Sequence, residues 1–305
     1  MKLNHVMSSD LNSGIFADLI AYSRKYSSES DDIIVSNQPV DGCDAYHYHR
    51  PQLESFLVKK SIVTVHHDLN DDDKWHLFKN FEKQYRQANK IICLNTIQQK
   101  SLKKIGFKNT VVIPHGYDKN IFSAQEKSAK KVVNLGIISK RYGRKVKGEA
   151  LLYDLFKRLD REKIRFTFIG KDRTQDCWKA RDLGYEAEVF ERLPYRVFGS
   201  VYENLDALLI PSIYEGGPAN LPEAISSGTP VIARNVGMVG DYVDETNGII
   251  LTGEPNADAV NINKFATDEA YQLEIKRGAY TKSKQALTWE EVTKMQFELY
   301  SKVIK

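Results

Sequence analysis

Short β-type runs alternate with amphipathic stretches along almost the whole chain, and no other feature limits the possible folds as much. In the first part the strand candidates are residues 2–7, 32–36, 45–49, 61–66, 90–94 and 110–113. Helical patterns lie between them at 14–25, 74–87 and 97–104. A second series places strands at 132–138, 165–169, 187–190, 207–211, 230–233 and 248–251, with helices at 149–159, 196–205 and 220–227. Apolar runs of this length, bounded by loops and separated by helices, belong to parallel sheets covered on both faces.

Two such series suit a chain of 305 residues, which is long for one compact domain and comfortable for two. The segment from Pro114-His115-Gly116-Tyr117-Asp118 to Lys130-Lys131 is turn-rich, then polar, and reads as the linker. The expected domains are 1–128 and 129–287, and the tail from 268 to 305 reads as wholly helical. The predicted class is α/β, two Rossmann-like doubly wound domains facing a central cleft. In such sheets ligands bind at the carboxyl ends of the strands.

The segment Ile210-Pro-Ser-Ile-Tyr-Glu-Gly-Gly-Pro-Ala-Asn-Leu-Pro-Glu-Ala-Ile-Ser-Ser-Gly-Thr-Pro-Val-Ile-Ala233 carries the most chemistry. A strand gives way to a Gly-Gly-Pro loop, a helix from about Asn220, and Gly228 as a C-cap. Gly216 and Gly217 let backbone come close to a ligand. The free N–H groups where the helix starts suit a diphosphate. Glu215 and Glu223 stand on either side of this turn with seven residues between them. A carboxylate can accept hydrogen bonds from two adjacent hydroxyls, so Glu223 could hold a ribose diol; it could equally complement the helix dipole.

Five basic residues crowd the eight positions from Lys140 to Lys147, after a strand and before a helix: Lys140, Arg141, Arg144, Lys145 and Lys147. Cations fixed there would stabilise a departing diphosphate as its charge grows, although many charge runs are only solvated loops. Thr64-Val65-His66-His67-Asp68 ends another strand on two histidines. A histidine at a sheet edge can donate or accept a proton near neutral pH. Gly14, in Asn12-Ser13-Gly14-Ile15, lies between the first strand and the first helix and reads equally as a tight turn.

Taken together these elements resemble the family 4 glycosyltransferases, retaining enzymes of the GT-B fold. The segment 215–223 is similar to that family's Glu-x7-Glu motif, and Pro114-His115-Gly116-Tyr117-Asp118 with Phe122 to its Pro-Asn-Gly-Val-Asp…Phe element, His115 replacing Asn. Leu135-Gly136 through Lys147-Gly148 resembles its first donor-domain strand and basic loop; Val236-Gly237 and Asn247-Gly248 match later turns. The resemblance implies a donor-binding set of Gly14, Gly216, Gly217, Pro218, Ala219, Asn220, Leu221 and Glu223. It implies a catalytic set of His66, Arg141, Lys147 and Glu215. Arg141 and Lys147 would clamp the diphosphate, with Lys140, Arg144 and Lys145 as alternates. His66, or else His67, would meet the donor sugar, and Glu215 would contact the sugar or support its cationic centre. The final helix, 288–305, would pack back on the N-terminal domain.

The implied activity is transfer of a hexose, with retention, from a nucleotide sugar (UDP-linked rather than GDP-linked) to a glycan, glycolipid or other hydroxyl acceptor in polysaccharide synthesis. Two rivals are a non-catalytic nucleotide-sugar-binding subunit and another GT-B enzyme such as an epimerase. No metal or other cofactor is expected: Asp71 and Asp73 read as an exposed loop and helix cap. Trp75, Phe78, Phe81 and Tyr85 recur at helical spacing among Lys79, Lys83 and Arg86. That stripe suits either a core face or a membrane surface carrying a lipid-linked acceptor.

Hydrophobic residues make up 42% and charged ones 28% of the chain, as in soluble globular proteins. No apolar run approaches the ~20 residues of a bilayer span, and no leader is evident at the N-terminus. A cytoplasmic location is expected, with peripheral contact at the inner face of the membrane. A net charge of +4 is too small to imply nucleic acid. Cys43, Cys93 and Cys177 are dispersed and odd in number, and read as reduced.

Overall fold

The computed structural model describes residues 1–7 and 14–305. Its chain forms two compact units. Unit 1 comprises residues 1–116, 215–219 and 287–305; unit 2 comprises 117–214 and 220–286. The first division thus falls after Gly116, ahead of the boundary expected at 128.

In unit 1, six parallel strands stand in the order β2-β1-β3-β4-β5-β6. They are β1 (Lys2–Val6), β2 (Asp32–Ser36), β3 (Ala45–Tyr48), β4 (Ser61–Val65), β5 (Lys90–Cys93) and β6 (Thr110–Val112). Helices α1 (Gly14–Tyr26), α2 (Glu82–Gln87) and α3 (Thr96–Lys104) connect them, and α11 (Trp289–Ile304) completes the unit. Side chains alternate across the sheet. Val6, Tyr46, Tyr48, Val63 and Val65 bury one face with Phe81 and Tyr85. Leu3, Ala45, Ile62 and Ile92 bury the other with Trp289, Val292, Leu299 and Tyr300 of α11.

Two helical expectations need correction. The stretch 74–87 is not one helix: α2 covers only its end, after a 3-10 turn at Phe78–Asn80. Asp71 accepts the Asp73 backbone N–H at 3.0 Å and Asp73 that of Trp75 at 2.9 Å, so these side chains compete with helical hydrogen bonding. Asp71 is buried beside His76, 3.0 Å away, not exposed. Of the aromatic stripe, Phe81 and Tyr85 are core, Phe78 packs against them, and Trp75 alone is largely exposed. The tail is likewise two helices. Between α10 (Glu269–Lys282) and α11 lies a 3-10 turn at Ser283–Gln285. Thr288 then caps α11, its side chain and that of Glu291 each bonding the other's backbone N–H.

Unit 2 repeats the plan in the order β12-β11-β10-β7-β8-β9, again all parallel. Its strands are β7 (Val133–Ile138), β8 (Ile164–Ile169), β9 (Ala187–Phe190), β10 (Ala207–Ile210), β11 (Val231–Arg234) and β12 (Gly248–Leu251). The helices are α4 (Glu149–Phe156), α5 (Thr174–Asp182), α6 (Phe198–Asn204), α7 (Asn220–Ser226), α8 (Val239–Tyr242), α9 (Pro255–Thr267) and α10. Val133, Leu135, Ile137, Phe166 and Phe168 face α4, α5 and α9 in one continuous core.

Residues 117–128, read from sequence as linker, are part of this unit because their side chains serve it. Lys127 Nζ donates to the carbonyls of Tyr202, Glu203 and Leu205 at 2.6, 3.0 and 2.9 Å, satisfying the C-terminal end of α6. Burial lowers its pKa to about 8. Among the described residues no helix is long and apolar enough to cross a membrane, and the three cysteines are free.

Candidate functional site

The loop 215–219 lies in sequence between β10 and α7, yet it belongs to unit 1. What holds it there is a polar clamp at the carboxyl end of β4 and β5. Asn95 Nδ2 donates to the Gly216 carbonyl at 2.7 Å. Gln98 Nε2 reaches the same oxygen at 3.3 Å and also bonds the carbonyls of His67 (2.9 Å) and Val65 (3.2 Å). The Glu215 N–H donates to Asp68, whose pKa is nevertheless raised, chiefly by burial. A Cβ on Gly216 would lie 2.2 Å from the His66 carbonyl oxygen, so no other residue fits without moving backbone. A Cβ on Gly217 would stand 2.8 Å from the Leu94 side chain.

Asn95 and Gln98 were not singled out from sequence. The available signal is Asn95 as N-cap of α3: its Oδ1 accepts the Gln98 N–H at 2.8 Å.

His66 follows β4 directly. Its Nε2 lies 3.1 Å from Nδ1 of His49, and the Phe16 ring stands edge-on at 4.9 Å. His67 takes a different place: it stacks on Phe81, centroids 3.9 Å apart, within the aromatic core. Burial holds His66 well below the ordinary histidine pKa and lowers that of His67 to about 4. Gly14 opens α1, while its neighbours Asn12 and Ser13 lie outside the described residues.

In unit 2 the end of β7, the basic loop and the start of α7 come together. Asn220 Nδ2 donates to the Ile138 carbonyl at 2.7 Å, and the Ile213 N–H to the Val146 carbonyl at 2.8 Å. Gly148 has a φ of +79°, and a Cβ there would lie 2.0 Å from the Pro211 carbonyl oxygen. Only glycine meets both demands.

The basic loop is not uniform. Lys140, Arg144 and Lys145 are exposed, and Lys147 is half-buried with its ammonium 5.5 Å from the Tyr142 ring centre. Arg141 is held differently. Its guanidinium lies 3.6 Å from Asp176 and 3.8 Å from Glu149, with Tyr153 OH at 3.3 Å and Gln175 also bonded. Arg173, fully buried, bonds Asp176 at 2.6 Å and Ser139 at 2.8 Å. Two guanidinium groups and two carboxylates thus balance one another. The sequence could not pair Arg141 with Asp176 across 35 positions.

Glu223 is buried, with Tyr195 OH donating to Oε1 at 2.8 Å and Tyr202 OH to Oε2 at 2.9 Å. Burial first, then Glu223, holds the Tyr202 hydroxyl well above its usual pKa, so it remains a donor. Phe122 stands edge-on to both tyrosine rings, at 5.8 and 5.7 Å. The tyrosines were not identified from sequence; their spacing of seven, two helical turns, is the signal available. The Leu221 side chain is wholly interior, which leaves only its backbone for a ligand.

Comparison with solved structures places this architecture. Sucrose-phosphate synthase (tll1590) from Thermosynechococcus elongatus superposes with a TM-score of 0.78 at 14% identity, covering 99% of both chains. Anabaena Alr3699/HepE in complex with UDP and glucose gives 0.74 at 16%, covering 99% of this chain and 100% of that one. S. aureus TarM, in complex with fondaparinux, alpha-GlcNAc-glycerol and UDP, gives 0.66 at 19%, covering 84% and 56%. No curated protein sequence matches the chain. The family model described as glycosyl transferases group 1 matches residues 120–282, more than half of the 305. With two parallel six-stranded sheets of the GT-B kind and that family match, the chain belongs to the group 1 glycosyl transferases and is a glycosyltransferase.

Proposed function

We propose that the enzyme moves a hexose from a UDP-sugar to a hydroxyl group of a glycan or glycolipid, retaining the configuration of the anomeric carbon. The observation that carries this reading is Glu223. A carboxylate can accept about four hydrogen bonds. Two tyrosine hydroxyls fix its plane in a buried setting at the start of α7, a geometry suited to a ribose diol. HepE was solved with UDP, with UDP and glucose, and with UDP-glucose, which supports a uridine donor here.

In this reading Lys147 stabilises the diphosphate as the glycosidic bond breaks, and Arg141 assists from its carboxylate cluster. His66 hydrogen-bonds the sugar, and the Glu215–Ala219 loop, docked beside it within unit 1, contacts the same group. The acceptor oxygen bonds the anomeric carbon on the face the diphosphate leaves. The acceptor proton passes to the departing phosphate. No side chain is assigned as a covalent nucleophile.

The lysine makes a divalent metal unnecessary for charge neutralisation, so turnover is proposed to be metal-independent. A thermal-shift series with UDP, GDP, UDP-glucose, UDP-GlcNAc and GDP-mannose, run in EDTA, tests the reading. At 100 times its Kd a ligand stabilises by about 2.7 kcal/mol. UDP and one UDP-sugar should raise the melting temperature and the GDP compounds should not. Stabilisation by GDP alone, or only with added Mg²⁺, would refute it.

A further inference from the structure

All seven histidines of the chain lie in unit 1, and four of them converge on one face of its sheet. The register explains why. His5 on β1 pairs with His47 on β3, which pairs with Ile62 on β4. Two residues further along, on the same face, come His49 and Thr64, and then His66. The apolar face built from Leu3, Ala45 and Ile62 therefore turns into a histidine ladder towards the carboxyl edge.

Three of these rings form a chain. His5 Nδ1 lies 2.9 Å from His49 Nε2, and His49 Nδ1 lies 3.1 Å from His66 Nε2. His47 stands apart, its two nitrogens bonded to Tyr300 OH (2.8 Å) and Thr64 Oγ1 (2.7 Å). Burial lowers the pKa of His5 to about 3 and holds His49 and His66 well below 6.5, so the rings are neutral. A neutral imidazole has one N–H and one acceptor nitrogen, so all protons in the chain must point the same way.

The far end decides the direction. Among the described residues His5 Nε2 is buried and meets no partner. If the protons pointed inward, that nitrogen would carry an unbonded buried N–H. If they point outward it is a bare acceptor, and buried acceptors are left unpaired more readily than donors. The outward chain runs His5 Nδ1–H to His49 Nε2, then His49 Nδ1–H to His66 Nε2.

We infer that His5 and His49 are positioning residues that lock His66 as its Nδ1–H tautomer, a neutral donor with Nε2 already occupied. Its use toward the sugar rests on the donor-site reading above. The assignment says which nitrogen of His66 donates: a sugar oxygen meets Nδ1–H, and Nε2 cannot take a proton from substrate without breaking the chain. Zinc is the competing occupant of this ladder. The candidate ligand atoms of His5, His47 and His49 lie within 4.8 Å of one another. Nitrogens bound about 2.05 Å from one tetrahedral zinc would lie about 3.3 Å apart, and His47 already uses both of its own.

Long-range proton–nitrogen NMR on histidine-labelled full-length protein tests the assignment, with resonances identified by single variants. Wild type should show Nδ1–H at His5, His49 and His66. His49→Leu should return His66 to Nε2–H and weaken UDP-glucose binding roughly tenfold while leaving UDP unchanged, the scale of one hydrogen bond. His49→Asn, which keeps an N–H near the Nδ1 position, should restore both. Nε2–H at His66 in wild type would overturn the inference, as would chelator-sensitive shifts at His5, His47 and His49. If wild type binds UDP but not UDP-glucose, the donor-site reading fails while the tautomers still decide the chain. If His49→Leu does not fold, the wild-type spectrum decides alone.

Discussion

The α-carbon of Gly216 sits so close to His66 that an added methyl would come within 2.2 Å of the His66 carbonyl oxygen and 2.8 Å of the His67 nitrogen. The loop of the glutamate motif and the end of β4 are therefore one packed structure within unit 1, not two neighbours in loose contact. Gly216→Ala should shift the loop and break the Asn95 and Gln98 bonds to its carbonyl. An overpacking cost of about 1–3 kcal/mol is expected, with weaker UDP-glucose binding. Calorimetric melting and a donor titration measure both; an unchanged melting temperature with unchanged affinity would contradict the packing.

Lys147 and Arg141 should separate when each is replaced by alanine. Charge develops on the diphosphate as the bond breaks, so a cation beside it gains most in the transition state. Lys147→Ala should lower kcat for UDP release from UDP-glucose about 10²–10³-fold at nearly unchanged stability. Arg141→Ala should lose activity and also stability, since it leaves Glu149 and Asp176 sharing one guanidinium, that of Arg173. Lys145→Ala, at an exposed turn, should be nearly silent. Steady-state kinetics with melting temperatures distinguish these; a large loss in Lys145→Ala would move the clamp to that residue.

The histidine ladder makes unit 1 acid-sensitive. His5, His47, His49, His66 and His115 have pKa values lowered below 6.5, in each case mainly by burial. The unfolded chain takes up protons at these rings near pH 6.5, whereas the folded chain resists until much lower. Their neutral burial thus stabilises fully above about pH 6.5, and the contribution falls as pH drops towards 4. Each such ring removes about 1.4 kcal/mol per pH unit in that window. Urea unfolding at pH 7 and pH 5 should show unit 1, which holds every histidine, losing stability ahead of unit 2. Equal stability at the two pH values would contradict the neutral, buried assignment.

The strands were legible as short β-prone runs bounded by loops, even at the edges of the two sheets: residues 32–36, 187–190 and 248–251 match the edge strands β2, β9 and β12 end for end. Boundaries failed where side chains compete with backbone, as at Asp71 and Asp73, whereas the final helix, expected at 288–305, is found at Trp289–Ile304 behind its Thr288 cap. Glu215, Gly216 and Glu223 could be named from local spacing. Their supports could not. Asn95, Tyr195 and Tyr202 act through contacts 18 to 121 positions away in sequence, and the His5–His49–His66 chain exists only through the register of three strands.

Isothermal titration with UDP, on wild type and Glu223→Ala in EDTA, bears most directly on the donor assignment. The ribose contact is made in ground and transition states alike, so its loss should appear as lost affinity. The expected result is saturable one-to-one UDP binding by wild type, at least tenfold weaker in well-folded Glu223→Ala. Equal UDP affinity in the two proteins, or no UDP binding by folded wild type, would contradict the assignment.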